Sequence, residues 1–273
     1  MSKVDISLLK KLRAITNAPL KDCKAALIEA EGDLDKAQEI LRKLGAIKAA
    51  KKADRVTNEG IVRVKYKDGY VAGVQLACET DFVAKNEQFI KAADKLVDTV
   101  LSFDKAEINS IDDLTDEEKQ KLNDIIAETV AVVGENVKLL DVMKKKVEQA
   151  YIYEHPGSKV VGIVVYKSNN PEAEKIAKEI ALQAVAMNPT YISMDRIPEE
   201  ELKKIEAEFR EEVLASGKPE NIVDNIVKGK LNKYFGEITL LEQPWIRDDS
   251  KKVKSIIPED FELIDVIRYS ING

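Results

Sequence analysis

The chain changes from helix-like to strand-like patterning at residues 61–78, which read IVRVKYKDGYVAGVQLAC. In the first half of this stretch, valine and tyrosine alternate with arginine and lysine, and a period of two is typical of a strand with one buried face. Asp68-Gly69 follows, a dipeptide that favours a two-residue hairpin turn. The stretch therefore predicts an antiparallel β-hairpin whose second strand runs from Tyr70 to about Cys78.

Upstream of the hairpin, residues 1–45 repeat apolar side chains every three or four positions, which is the spacing of a helix face. Three such stripes predict three short helices. Pro19 suits a first helical turn, Asp33 suits an N-cap and Gly45 suits a helix stop. A basic linker at 46–58 then joins this head to the rest of the chain.

Downstream of the hairpin, the pattern predicts helices and a further strand. Thr80 or Asp81 offers an N-cap to a helix expected over about 83–101. A second helix is expected over 116–133, and a strand over 137–142. Together with the hairpin, these elements predict an α+β fold rather than a purely helical one.

A second unit with the same element order follows in the middle of the chain. Residues 151–186 predict two strands, with a turn at 155–158 between them, and then a helix. The sequences VAGV at 71–74 and VVGI at 160–163 are similar, and each precedes a turn and a long helix. We interpret this as a degenerate internal duplication.

A helical hairpin follows the second unit. Narrow apolar seams on two helices joined by a short turn are typical of an antiparallel coiled coil. Strands are expected again at 237–241 and 263–269, so that this arm is inserted between strands of the second unit. The two seams and the turn are Leu202, Ile205, Phe209 and Val213, then Ser216-Gly217-Lys218-Pro219, then Ile222, Ile226, Val227 and Leu231.

Residue inventory excludes several classes of function. The chain has 273 residues with a single histidine, His155, and two cysteines, Cys23 and Cys78. A histidine-rich metal site and a four-cysteine zinc site are therefore ruled out within one chain. No GxxxxGKS/T or GxGxxG phosphate loop and no GxSxG or HExxH motif occurs. We expect a protein that is not an enzyme and that holds no metal, cofactor or nucleotide of its own.

Charge is distributed unevenly along the chain. It has 43 Lys and Arg against 49 Asp and Glu, yet residues 1–58 alone carry an excess of five positive charges. Since a net acidic chain disfavours a specific nucleic-acid binder, we interpret the basic head and linker either as solvated or as a surface for a protein partner. No apolar run approaches 18 residues and no signal-like start is present, so we expect a cytoplasmic protein with reduced thiols.

Residues 79–83, with the sequence ETDFV, allow two interpretations. In the first, Thr80 or Asp81 caps a helix and Phe82 packs on its first turn as a hydrophobic staple. In the second, Phe82 is a rigid aromatic side chain that inserts into a partner's pocket, where the carboxylate of Asp81 competes for polar groups. Spacing alone favours the staple.

Four separated motifs, in order along essentially the whole chain, carry a family resemblance. The chain is similar to the elongation factor Ts family, the guanine-nucleotide exchange factors of elongation factor Tu. The motifs are DCK at 22–24 with GAIKAAKKA at 45–53, TDFVAKN at 80–86, SGKP at 216–219, and QPW at 243–245.

The resemblance implies a particular α+β architecture. A three-helix ubiquitin-associated-like domain precedes a basic linker and a core of two related α+β subdomains with antiparallel sheets, and an antiparallel coiled coil is inserted into the second subdomain. The expected limits are 1–45 for the head, 46–58 for the linker, 59–142 for the first subdomain, 143–189 and 236–273 for the second, and 190–235 for the coiled coil.

The resemblance also implies a function in translation. The chain would bind factor Tu with GDP and promote exchange of GDP for GTP, with Asp81 and Phe82 wedged near the magnesium and phosphate site. No catalytic residue, cofactor, metal, membrane or specific nucleic acid is implied. The positions carried over as contacts to factor Tu are Thr80, Asp81, Phe82, Val83, Arg13, Leu20, Lys24, Lys52 and His155.

Two rival functions stay open at this point. The chain could be a passive adaptor that tethers proteins through its head and arm without altering nucleotide exchange. It could also be an RNA-associated translation protein that uses the basic head. The arm has three open roles: it pairs two copies into a homodimer or a 2:2 complex, folds back on its own chain, or contacts factor Tu.

Overall fold

The computed structural model describes residues 5–217 and 219–271. The protein is α+β, with helices and antiparallel sheets, as the sequence predicts. The chain forms two compact units. The first contains the residues up to Val147, Glu154–Val161 and the residues from Tyr269 on, and the second contains Glu148–Tyr153 and Gly162–Arg268. The subdomain limits expected from the resemblance remain a prediction.

Three helices form the head, as predicted: α1 (Ile6–Thr16), α2 (Leu20–Glu29) and α3 (Leu34–Ala50). Asp33 caps α3, because its carboxylate accepts hydrogen bonds from the backbone N–H groups two and three residues further on. Pro19 immediately precedes α2 as its N-cap residue. The helices enclose a small core of Leu12, Ala18, Cys23, Ala26, Leu27, Ala30, Ala37 and Leu41.

The expectation that Gly45 ends the third helix is wrong. Helix α3 continues to Ala50, and Gly45 is buried inside it against helix α6 (Asp116–Val133). A Cβ atom at this position would lie 2.8 Å from the carbonyl oxygen of Ala127, which is too close for any side chain. Glycine therefore permits two helices to approach closely here, and the non-helical part of the linker begins only at Lys51.

A four-stranded antiparallel sheet lies at the centre of the first unit. Its strands, in spatial order, are β1 (Glu59–Lys67), β2 (Tyr70–Cys78), β4 (Val137–Lys146) and β3 (Glu107–Ile108). The predicted hairpin is confirmed: φ is 52° at Asp68 and 78° at Gly69, the left-handed values that a type I′ turn requires. The two-residue strand β3 carries no periodic signal and was not predicted.

Helices cover this sheet and bury its core. The single helix expected over 83–101 is two helices, α4 (Asp81–Ala84) and α5 (Glu87–Ser102). The helix restarts because Asn86 is extended and its side chain accepts a hydrogen bond from the N–H of Gln88 at 2.8 Å, which makes it the N-cap of α5. Helix α6 begins and ends as predicted. Buried side chains of the core include Phe89, Leu96, Val100, Leu122 and Val142.

The second sheet belongs to the predicted second strand–strand–helix unit. Strands β5 (Gln149–Glu154) and β6 (Val160–Ser168) precede helix α7 (Ala173–Met187). Strands β7 (Pro244–Trp245) and β8 (Asp248–Lys252) form a separate ribbon, and β9 (Phe261–Ser270) completes the three-stranded order β5-β6-β9. The predicted strands and helix are confirmed here, whereas the internal duplication stays a prediction.

Two helices, α8 (Glu199–Ala215) and α9 (Glu220–Ile238), form the predicted hairpin arm. Their seam buries Val213, Val223 and Val227. The expectation that Ile222 lies in this seam is wrong. Ile222 is 38% exposed, and Val223 is buried in the seam instead. Lys218 of the predicted turn lies outside the described residues.

The strand expected over 237–241 is also wrong. Helix α9 continues to Ile238, and a single 3₁₀ turn follows at Leu240–Glu242. The fully buried side chain of Gln243 satisfies a carbonyl of the last turn of α9, because its Nε2 donates to the carbonyl of Glu237 at 2.7 Å. Gln183, also fully buried, donates to Oε1 of Gln243 at 3.1 Å. Gln243 of the QPW motif thus has a structural role, as a buried hydrogen-bonding residue beside the end of α9.

Candidate partner-binding site

The segment Thr80–Ala84, hereafter the Phe82 turn, is one helical turn that is anchored by its buried side. The backbone of Thr80 is extended, and its Oγ1 accepts a hydrogen bond from the N–H of Val83 at 3.4 Å, as an N-cap does. Val83 and Ala84 are buried in the core of the first unit. The buried side of the turn therefore holds its other side in place.

Phe82 points away from that core. Its side chain is 82% exposed, whereas the other five phenylalanines are buried or half-buried. Burial of a phenylalanine side chain stabilises a fold by about 1.5–3 kcal/mol, and the chain forgoes this gain at Phe82. The capping part of the staple interpretation is right for Thr80, but its packing part is wrong. An exposed aromatic side chain on an anchored turn is suited to insertion into another surface.

Asp81 is the polar neighbour of this aromatic side chain. Nζ of Lys85, one helical turn further on, donates to Oδ2 of Asp81 at 2.7 Å. This hydrogen bond holds the pKa of the Asp81 carboxyl below its usual range. The carboxylate is therefore ionised at neutral pH, and it is paired with the ammonium group of Lys85 beside Phe82.

Glu135, two residues before the neighbouring strand β4, holds the start of the Phe82 turn. Its carboxylate accepts hydrogen bonds from the backbone N–H of Thr80 at 3.0 Å and from the Thr80 hydroxyl at 2.6 Å. Beneath the turn, the thiol of Cys78 donates to the carbonyl of Thr80 at 3.2 Å. Burial, together with the charge of Glu135, raises the pKa of that thiol to about 12, so it remains a protonated structural donor.

The predicted contacts in the head lie on its surface. Arg13 in α1 is exposed, as are Leu20 and Lys24 in α2. Leu20 is 53% exposed, so its apolar side chain is open to solvent. Ile28, in the same helix, is also exposed but was not among the predicted contacts. The head therefore presents both basic and apolar side chains to solvent.

The remaining two predicted contacts have partners within the chain. The half-buried Lys52 donates from Nζ to the carbonyl of Gly134, beside Glu135. His155 is exposed in the turn after β5, where its backbone N–H donates to the carbonyl of Val160 at 3.0 Å. Lys52 is thus joined to the Phe82 turn through residues next to Glu135, while His155 belongs to a separate turn.

Two residues of the site were not predicted. Lys85 lies in the TDFVAKN motif, and its spacing of four residues from Asp81 on a helical turn was the signal for it. No pattern of spacing points to Glu135, which lies 55 residues from Thr80 in the sequence and meets it only through the pairing of β2 with β4.

Two searches for other kinds of site concern the described residues alone. Within 5–217 and 219–271, no three side chains of His, Cys, Asp or Glu group together in a way that would hold a metal ion. Over the same part of the chain, the helices are too short or too polar to cross a membrane.

Comparison with known proteins gives a consistent result over the whole length. The family model described as Elongation factor TS matches residues 79–272, which is well over half of the chain and includes the Phe82 turn. The protein named elongation factor Ts from Aquifex aeolicus (strain VF5) is 38% identical over 273 residues, and the match covers 96% of this chain and 94% of the relative.

Further relatives carry the same name. Elongation factor Ts from Chlorobium phaeobacteroides (strain BS1) is 40% identical over 290 residues, with both chains covered completely. The protein of that name from Halothermothrix orenii (strain H 168) is 39% identical over 263 residues, covering 92% of this chain and 86% of the relative. The match to the Chlorobium protein covers the whole chain and therefore includes the head, which precedes the region of the family model.

Proposed function

The chain belongs to the elongation factor Ts family, and from this premise we propose that it binds elongation factor Tu loaded with GDP and accelerates the release of GDP, so that GTP replaces it. The family is one of translation elongation factors that exchange the guanine nucleotide of factor Tu. Exchange makes and breaks no covalent bond, and the protein in this role is not an enzyme with bond-making chemistry of its own.

One observation carries the proposed mechanism: Phe82 is 82% exposed on a turn whose other face is buried. A rigid, exposed aromatic side chain can enter a pocket of its partner at little cost in conformational entropy. We assign Phe82 as the side chain that enters factor Tu near its magnesium and phosphate site. Asp81, ionised beside it, competes there for groups that would otherwise hold the metal or the phosphates.

The energetics of exchange follow from linkage. A protein that binds the nucleotide-free state of its partner more tightly than the GDP-bound state must weaken GDP binding by the same factor. Each factor of ten in that ratio corresponds to about 1.4 kcal/mol of differential binding. A few contacts made only in the nucleotide-free complex are therefore enough, and GTP that binds afterwards expels the exchange factor.

The other contacts proposed for factor Tu are less local. Arg13, Leu20 and Lys24 would meet it through the exposed face of the head, and His155 through its turn. Lys52 would act by holding the linker, since its ammonium group is engaged with Gly134. These residues would supply affinity, whereas Phe82 would supply the difference between the two nucleotide states.

The experiment measures GDP release from factor Tu loaded with a fluorescent GDP, by stopped flow, over a range of concentrations of this protein. We expect Phe82→Ala to lower the maximal release rate by about tenfold or more, because it removes an interaction made mainly in the nucleotide-free state, with a smaller effect on the half-saturating concentration. Met187→Ala removes an exposed apolar side chain at the end of α7 and is the matched control.

Three outcomes separate the alternatives. An unchanged maximal rate for Phe82→Ala would reject Phe82 as the inserted side chain. A native chain that binds factor Tu without accelerating release would be a passive adaptor. Equal losses for Phe82→Ala and Met187→Ala would attribute the effect to exposed apolar surface in general.

A further inference from the structure

Two loops lie side by side at one end of the central sheet. Strands β2 and β4 are antiparallel neighbours, and Cys78, the last residue of β2, is paired with Val137, the first residue of β4. The residues that follow β2 therefore run beside those that precede β4. The first set leads into the Phe82 turn, and the second set is Gly134–Asn136, hereafter the brace.

The brace holds the Phe82 turn through one carboxylate. Glu135 accepts both donors of Thr80, the backbone N–H at Oε2 and the hydroxyl at Oε1. Because the hydroxyl proton of Thr80 is directed at Glu135, a lone pair on the same oxygen is free to accept from the N–H of Val83. Glu135 thus fixes both the backbone of the N-cap residue and the orientation of its capping hydroxyl. Hydrogen bonds to an ionised acceptor are about twice as strong as neutral ones.

A second carboxylate makes the same connection in the opposite direction. Oε1 of Glu79 accepts a hydrogen bond from the backbone N–H of Asn136 at 2.6 Å and lies 3.4 Å from the guanidinium of Arg55. Each loop therefore contributes a carboxylate that accepts from the backbone of the other loop. This reciprocal pairing leaves neither loop free to shift by itself.

The brace also holds the linker that follows the head. The side-chain amide of Asn136, which is 2% exposed, donates to the carbonyls of Arg55 at 2.8 Å and Ala53 at 3.3 Å. Lys52 donates to the carbonyl of Gly134. Three consecutive residues thus connect the linker on one side with the Phe82 turn on the other.

We propose that Glu135 is a positioning residue for nucleotide exchange: its carboxylate fixes Thr80 so that Phe82 is presented in one orientation, and the adjacent residues of the brace tie that orientation to the linker of the head. The inference rests on the proposed function of Phe82 and adds a residue that touches neither nucleotide nor partner. It requires that loss of Glu135 loosens the Phe82 turn before any partner is present.

The test uses the full chain and two variants of the same position. Glu135→Ala removes both acceptors, whereas Glu135→Gln keeps the shape, one acceptor for Thr80 and a donor for its hydroxyl oxygen. Glu117→Ala removes a highly exposed carboxylate from the first turn of α6 and is the matched control. Amide hydrogen exchange of residues 79–84 in the free chain reports the order of the turn, and GDP release from factor Tu reports its consequence.

For Glu135→Ala we expect the amides of the Phe82 turn to exchange at least about tenfold faster, as for a locally opened segment. We expect the maximal rate of GDP release to fall about tenfold, while the half-saturating concentration changes less than about threefold. Glu135→Gln should recover most of both losses, and Glu117→Ala should match the native chain in both measurements.

Several results would overturn the proposal. Native exchange protection of residues 79–84 in Glu135→Ala would show that the carboxylate does not order the turn. Equal impairment of Glu135→Gln and Glu135→Ala would show that its hydrogen bonds are not what matters. A thermal unfolding curve guards against global misfolding. If Glu135→Ala fails to fold, Glu135→Leu, which keeps the bulk of the side chain but removes both acceptors for Thr80, takes its place, and native protection and release rate in that variant would overturn the proposal.

Failure of the two proposals can be told apart. If Phe82→Ala keeps full exchange activity while Glu135→Ala loosens the turn, the function assigned to Phe82 fails and the ordering role of Glu135 stands. If Phe82→Ala is inactive while Glu135→Ala keeps both its protection and its release rate, only the positioning inference fails.

Discussion

At the scale of single residues, the site depends on neighbouring side chains of one turn that point in opposite directions, into the core and into solvent. Val83 and Ala84 contribute to the core, whereas Phe82 contributes nothing to it. Sequence spacing could not reveal this difference, because a phenylalanine at a helix start can point either into the core or into solvent. The direction is decided by the sheet, which receives the two residues after Phe82 and leaves Phe82 itself on the outer side.

Asp81 provides a prediction about pH at this scale. Its pKa lies below the usual 3.8, and the main cause is the hydrogen bond from Lys85. Because the pKa is lowered in the folded chain, the stabilisation from this contact is present above the unfolded pKa and is lost as the pH falls through the folded one. Lys85→Met should therefore raise the pKa of Asp81 towards 3.8. An NMR titration of the Asp81 carboxyl carbon measures this shift.

Lys91→Met is the matched control for that titration. Lys91 pairs with Glu87 at the start of α5 with the same spacing of four residues, and its hydrogen bond lowers the pKa of Glu87. The control should raise the pKa of Glu87 and leave that of Asp81 unchanged. An Asp81 pKa that does not respond to Lys85→Met would mean that the ion pair is not maintained in solution.

At the scale of elements, local caps predicted some helix boundaries, such as the start of α6, but the local cap at Asn86 that separates α4 from α5 was missed. Thr115 begins α6 with a capping box, in which its hydroxyl and the carboxylate of Glu118 each accept from the other's backbone N–H. The end of α3 was mistaken for a different reason, because a distant residue decides it. Gly45 has the usual identity of a helix stop, but the helix continues because α6 packs against it, and no local pattern contains that information.

Alanine substitution at two glycines, Gly45 and Gly229, should therefore change stability in opposite directions. Gly45→Ala should destabilise the first unit by about 1–3 kcal/mol, since the added methyl group meets the backbone of Ala127 and forces α3 and α6 apart. Gly229→Ala, in the exposed face of α9 where nothing lies within 4 Å of the added atom, should instead stabilise the arm. The expected gain there is up to about 1 kcal/mol of helix propensity.

Hydrogen exchange under increasing denaturant measures these two effects separately, because the substitutions lie in different units. We expect amides of α3 and α6 to lose protection in Gly45→Ala, and those of α9 to gain protection in Gly229→Ala. Stabilisation of α3 by Gly45→Ala would contradict the close approach of the two helices.

For the whole molecule, the sequence predicted the fold class, the order of most elements and the position of the Phe82 turn. It did so through period, turn residues and motifs, which are all local. Part of what it missed is non-local. Glu135 was missed because its contact with Thr80 exists only once β2 and β4 have paired. The end of α9, by contrast, was missed although its determinant is local: the buried side chain of Gln243 donates to the carbonyl of Glu237, six residues earlier.

The positive charge of the head and linker is partly neutralised by ion pairs within the first unit. Several basic side chains of the head and linker are engaged within the first unit: Arg42 with Asp124 at 2.9 Å, and Lys48 with Asp22 at 2.5 Å. These pairs fasten the head and leave less of its charge for a partner. Arg13 and Lys24, by contrast, are exposed on helices α1 and α2 and are among the proposed contacts.

Charge reversal at Arg13 and Lys24 tests whether this surface steers the chain to factor Tu. The double variant Arg13→Glu with Lys24→Glu should slow association about tenfold at low salt and flatten its dependence on ionic strength, because it removes attraction between oppositely charged surfaces. The rate of GDP release from the saturated complex should stay unchanged, since Phe82 is untouched. Stopped-flow association at several salt concentrations measures both. Lys203→Glu with Lys204→Glu makes the same change in net charge on α8, so equal slowing in that variant would assign the effect to net charge rather than to the head.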